Sequence, residues 1–137
     1  MIVKEAFEFV SLNEANDLMA KWPQVKSCFV GEDIDQLLPT LLTCVREGVV
    51  ALVYYSGFLA GLCGGQKVGN ALVVRYLPKA GDNHLSRRCV EWLRQWAAEK
   101  ELARVIVYST RANGSTFRYF TKVLGLRRIG IIFGAEV

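Results

Sequence analysis

The sequence predicts an α+β domain, a central mixed β-sheet flanked by helices, and three observations carry that prediction. Val49 to Leu77 divides into three apolar runs at Val49–Tyr55, Phe58–Val68 and Ala71–Leu77, separated by the turn pairs Ser56-Gly57 and Gly69-Asn70, as consecutive antiparallel strands do. A helical pattern follows, with Leu85, Cys89, Trp92, Leu93, Trp96 and Ala97 on one side and Arg87, Arg88, Glu91, Arg94, Gln95 and Glu99 on the other. Leu102 to Tyr108 is then an apolar, β-branched run of the kind buried in parallel pairing. A strand feeding a helix through a short loop, here Pro78 to Asn83, is where such a fold holds an anion, because free backbone N–H groups and the helix dipole converge there.

The remaining elements fall on either side of this unit. Ile2 to Val10 has Phe7 and Phe9 at the two-residue period of a strand, and Ser11 with Glu14 reads as a capping box that starts a helix ending before Pro23. Val25 to Gly31 shows no clear period. Ile34, Leu37, Leu38, Leu41, Leu42 and Val45 form the stripe of a second helix behind Glu32 and Asp33. Pro39 implies a kink there, or a start near Leu38, and Gly48 closes the helix in a C-cap position. Gly61, Gly64 and Gly65 inside the second meander strand mark either a bulge or a close approach by backbone or ligand. Trp92 and Trp96, four apart, are expected to stack as core neighbours. After a loop at Ser109–Gly114, a short helix over Ser115–Val123 ends at Gly125, and Leu126–Ala135 is the last strand.

Length and composition set the outer bounds. A chain of 137 residues is expected to be one domain, 1–137, with a core that needs no staples. Hydrophobic residues at 52% against 22% charged exclude intrinsic disorder, and the apolar excess is expected to be covered in part by a second copy or a protein partner. No apolar run is long enough to span a bilayer and Met1 to Ser11 lacks a signal-peptide plan, so a cytoplasmic protein without membrane contact is expected. Cys28, Cys44, Cys63 and Cys89 have no metal-ligand spacing and stand with a single histidine, which indicates reduced, mostly buried thiols rather than zinc or disulfides. A net charge of +4 suits an anionic ligand such as a nucleotide or CoA. The absence of a Lys/Arg run interleaved with aromatics argues against nucleic acid.

The element order β-α-α-β-β-β-α-β-α-β resembles the GNAT superfamily, the Gcn5-related N-acetyltransferases, over nearly the whole chain. The segments that carry the resemblance are Trp92 to Val107, then Asn113, then Phe117 to Leu126. It implies a mixed sheet whose fourth and fifth strands splay apart, acetyl-CoA as co-substrate, and acyl transfer to an amine. It further implies that pantetheine pairs with the fourth-strand backbone near Val74 and Tyr76, and that the pyrophosphate lies on the loop at the helix start. That loop falls on Gly81-Asp82-Asn83-His84-Leu85-Ser86. Gly81 stands where the family has Gln or Arg, His84 replaces a glycine, and Ser86 keeps the small final residue. The implied cofactor contacts are Val74, Tyr76, Gly81, Asn83, His84, Ser86, Arg87 and Asn113. A protonated His84 with Lys79, Arg87 or Arg88 would favour phosphate, and Asp82 would repel it.

For the chemistry, the resemblance implies an acid that protonates the leaving thiolate; Thr121 stands at the matching position, four before Gly125, and Tyr119 takes the role only through a local shift of the segment, with Asn113 as the second catalytic candidate. Arg75 is the one charge along Ala71–Leu77, so that strand offers no carboxylate base. Tyr119 also reads as a surface or packing tyrosine, and Asn113-Gly114 as a plain turn pair. Two functions therefore stand side by side. One is an acyl-CoA-dependent N-acyltransferase whose partners are a CoA thioester and an amine; the other is a non-catalytic GNAT-like scaffold of the kind bacteriophages encode as virion or host-interaction proteins.

Overall fold

Alternating apolar residues at period two build the sheet, and the computed structural model describes it within residues 6–78 and 83–107. Its strands lie in sequence order: β1 (Phe7–Ser11), β2 (Gly48–Tyr55), β3 (Phe58–Val68), β4 (Ala71–Tyr76) and β5 (Arg104–Val107). The first three pairings are antiparallel, with Phe9 opposite Val53 and Val50 opposite Gly64. β5 joins β4 in parallel, from Ala71 opposite Arg104 to Val74 opposite Val107, after a crossover through α4 (Asn83–Glu99). The sheet is therefore mixed, as expected, and the Ser56-Gly57 turn has positive φ at both residues, 49° and 86°, the geometry that suits the twist of a tight hairpin. The helix expected over 115–123, the strand expected over 126–135 and the course of β5 past Val107, where a splay from β4 would show, lie outside the described residues.

Three helices separate β1 from β2, where two were expected. Ser11 stays in β1, opposite Ala51, and the capping box forms three residues later. There Glu14 caps α1 (Ala15–Ala20) while Asp17 Oδ2 accepts from the Glu14 backbone N–H at 3.0 Å. A carboxylate replaces the expected hydroxyl because β1 pairing has already claimed Ser11. Pro23 opens α2 (Trp22–Ser27), since proline at a helix start gives up an N–H that has no intrahelical partner there. The segment without a clear period is thus half helical. α3 (Ile34–Glu47) begins at its Asp33 N-cap, whose side chain accepts from Asp35 N–H at 3.1 Å, and runs through Pro39. Gly48 follows as C-cap with extended φ of −171°, and its lack of a Cβ is steric: a Cβ there would strike the Gly65 carbonyl across the β2–β3 pair.

Both faces of the sheet are covered. Ala51, Val53, Cys63, Leu72 and Val74 pack against Leu85, Cys89, Leu93 and Ala97 of α4. On the opposite face, Val50, Leu52 and Leu62 pack against Leu18, Val25, Leu41, Cys44 and Val45 from the three N-terminal helices. Trp92 stacks on Phe9 of β1, centroids 5.0 Å apart and planes 4° from parallel, so its ring partner comes from the sheet. Among the described residues no helix is long and apolar enough to cross a membrane.

Candidate active site

The exit of β4 and the entry of α4 are fastened to each other and to the sheet. The Ser86 hydroxyl donates to the Pro78 carbonyl at 3.3 Å, and Ser86 is fully buried. The Pro78 ring lies over Gly61 of β3, where an added Cβ would come 3.1 Å from Pro78 Cγ and 3.6 Å from Leu85 Cδ2. The glycine thus admits both the proline that ends the strand and the leucine that begins the helix core. No acidic residue occupies the first turn of α4, so the positive end of the helix dipole is not neutralised from within.

The basic residues of that helix divide between two directions. His84 and Arg88, four apart, reach to β1: the His84 ring is 5.7 Å from that of Phe7, and the Arg88 guanidinium lies 5.5 Å from the same ring centre. Arg88 also meets Glu91 at 3.3 Å while its Nε is buried without a partner. Half-buried, it departs from the solvent face that the helical pattern gave it. Because β1 and β5 are at opposite ends of the described strand order, His84 and Arg88 extend away from β5. Arg87 is exposed between them.

A bulge shapes the end of β4. Gly64 pairs with Tyr76 and Gly65 with Val74, so Arg75 is the extra residue. Leu72 and Val74 face α4, yet Tyr76 packs with the N-terminal helices: the bulge breaks the alternation and puts Arg75 and Tyr76 on one face. The Tyr76 ring meets Phe29 edge-on at 5.6 Å. Burial, then the neighbouring Cys44, push its hydroxyl pKa up to about 12, with the nearby Thr40 hydroxyl pulling the other way. Among the described residues no atom meets full hydrogen-bond geometry with Tyr76 Oη. Beside it opens a hollow of about 410 Å³ lined by Pro39, Thr40, Thr43, Gln66 and Arg75. Arg75 Nη2 donates to Gln66 Oε1 at 3.4 Å, and Gln66 Nε2 donates to Glu47 Oε2 at 3.1 Å.

The structure brings Tyr76, Pro78 and Ser86 to one end of the β4–α4 unit, with Val74 buried just before them on the α4 face. Asn83 is the first residue of α4. Gly81, Lys79, Asp82, Asn113 and Tyr119 lie outside the described residues. The bulge reading of the β3 glycines holds, with register shifts beside Gly61 in the β2–β3 pair and at Gly64/Gly65 in the β3–β4 pair; missed in the sequence were the clamp of Gly61, Pro78 and Ser86 and Arg75 as the extra residue in β4. The glycines at 61, 64 and 65 signalled a close approach, but not which chain segment makes it. The four cysteines are free thiols, three buried and Cys28 half-buried. Cys63 on β3 and Cys89 on α4 meet in the core, and the Cys63 pKa is raised well above its ordinary value, first by hydrogen bonding to Cys89 and then by burial. Among the described residues no cluster suits a metal ion.

No family model matches the chain, and no curated protein matches it by sequence. Solved structures do match it. The aminoglycoside N-acetyltransferase AAC(6')-Iy, in complex with CoA, superimposes with a TM-score of 0.65 at 11% identity, over 97% of this chain and 95% of that one. An aminoglycoside acetyltransferase from an uncultured soil metagenomic sample, in complex with sisomicin, gives 0.64 at 13% identity, over 96% of each chain. A probable acetyltransferase from Staphylococcus epidermidis gives 0.60 at 14% identity, over 88% of this chain and 82% of that one. At such identities the likeness is one of fold.

Proposed function

Because this chain has the GNAT fold, we propose that it is an acyl-CoA-dependent N-acyltransferase that moves an acetyl group from acetyl-CoA to an amine. The observation that carries the reading is the fastened β4–α4 junction: Ser86 tied to Pro78, and Pro78 seated on Gly61, hold the start of α4, whose first turn carries no acidic residue, at the C-terminal end of β4. A helix start at the end of a strand is a position that favours a pyrophosphate. The CoA-bound neighbour of the same fold supports CoA as the ligand. The backbone of Asn83 and Ser86, with Gly81 and Arg87, would hold the phosphates, and Val74 and Tyr76 would offer backbone to the pantetheine. His84, drawn to Phe7, need not occupy the phosphate position even though it replaces a glycine.

In the transfer step the amine lone pair attacks the thioester carbonyl and a C–N bond forms. The C–S bond then breaks, Tyr119 gives its proton to the leaving thiolate, and the amine loses a proton to solvent. Asn113 would orient the thioester end. The test is ligand-induced stabilisation: acetyl-CoA or CoA at a hundredfold excess over its dissociation constant raises stability by about 2.7 kcal/mol, read as an upward shift in melting temperature. No shift at millimolar CoA overturns this reading. It would favour instead the non-catalytic scaffold, to which the departures at Gly81 and His84 point.

A further inference from the structure

The hollow beside the β4 bulge bears on the identity of the acceptor, a point that rests on the acyltransferase reading above. Arg75 is the one charged residue in its lining; Pro39, Thr40, Thr43 and Gln66 are neutral. Among the described residues the Arg75 guanidinium meets only the neutral Gln66 Oε1, at 3.4 Å, and pairs with no carboxylate. Glu47, the nearest acid along that path, is engaged by Gln66 Nε2. A guanidinium carries five N–H donors in a planar fork, and nearly all of these remain available. Thr40 adds a hydroxyl to the wall, beside Tyr76 Oη. The bulge sets Arg75 and Tyr76 on this face together, next to the β4 backbone along which the thioester would run.

We propose that this hollow binds the carboxylate of the acyl acceptor, so that the acceptor is an amine that also carries an acid, an amino acid or short peptide, and not a polycation. A carboxylate meets the Arg75 fork through two parallel hydrogen bonds, which fixes the orientation of the amine as well as its position. A volume of about 410 Å³ accommodates a group of that size. A polyamine would face Arg75 and a chain of net charge +4, with no acid in the lining to receive it.

The test pairs each of a panel of amino acids and dipeptides with its C-terminal amide, adds spermidine and sisomicin as polycations, and follows CoA thiol release from acetyl-CoA. The acids are expected to be acetylated with kcat/KM at least about tenfold above their amides and above both polycations. Arg75→Gln is expected to abolish that preference while the CoA-induced thermal shift persists, and Arg75→Lys to retain part of it. Equal turnover of acids and amides, or a preference that survives Arg75→Gln, overturns the proposal. Turnover of polycations without an acid preference overturns it as well and leaves the acyltransferase reading standing. If no amine is acetylated, titration calorimetry of the same acids decides. Arg75-dependent binding keeps the hollow as a carboxylate site while transferase activity falls, and no binding overturns the site.

Discussion

Gly61 lacks a side chain at the one point where β3, the end of β4 and the start of α4 converge. A valine there would drive its Cβ to 3.1 Å from the Pro78 ring and its methyl groups further in. Gly61→Val is therefore expected to destabilise the protein by about 1–3 kcal/mol through overpacking. Urea unfolding checks this, and an unchanged midpoint would mean that Pro78 moves aside without loss. At this scale the sequence was only partly legible. The glycine announced a close approach, but its partner is seventeen positions along and on another element, so no local pattern names it. Ser86 was expected to be the small residue facing a ligand; its hydroxyl is instead committed to the Pro78 carbonyl. His84 was expected to crowd the phosphate, and the ring of Phe7 takes it in another direction.

At the scale of elements, α3 tolerates Pro39 because its hydrophobic stripe is long: Leu41, Cys44 and Val45 are buried, and Leu37 and Leu38 pack against the same cluster. Tertiary burial outweighs the missing N–H, which would otherwise bond to the Asp35 carbonyl. Pro39→Ala restores that donor and a better helix former. A net gain of about 1–2 kcal/mol is expected after the loss of proline's rigidity in the unfolded chain, read from thermal or urea unfolding. A destabilised variant would show that the ring's contacts matter more than the hydrogen bond. The same competition explains the capping shift. Ser11 is a good cap by type, but strand pairing with Ala51 occupies its backbone, and the helix starts where Glu14 and Asp17 can close the box.

For the whole molecule, burial of thiols and a phenol on both faces of the sheet gives stability an alkaline limit. Cys44 is raised to about 11 and Tyr76 to about 12, each chiefly by burial, and Cys63 is raised well above the usual thiol range. In the unfolded chain these groups release protons near their ordinary values of 9.0 and 10.0, while the folded protein still holds them. Protons bound to the native state then outnumber those bound to the unfolded one, so stability is full below pH 9 and falls as pH rises toward about 11 and 12. Melting temperatures from pH 8 to 11 should decline progressively from about pH 9. A flat profile would mean that these groups titrate normally in the folded protein.

The sequence by itself determined the strands of the described sheet, the long helix α4 and their order. The meander from Gly48 to Tyr76, the long amphipathic α4 and the β-branched β5 are fixed by periodicity and turn chemistry, which act over neighbouring residues. That order was enough to indicate the GNAT fold that the solved structures match. Only the tertiary structure decided where the side chains of the candidate site go. Which face Tyr76 takes depends on one extra residue in β4; where Pro78 rests depends on a gap in β3; where His84 and Arg88 point depends on Phe7. Each of these choices is made by contact between residues far apart in the chain, and a local pattern holds no record of such contacts.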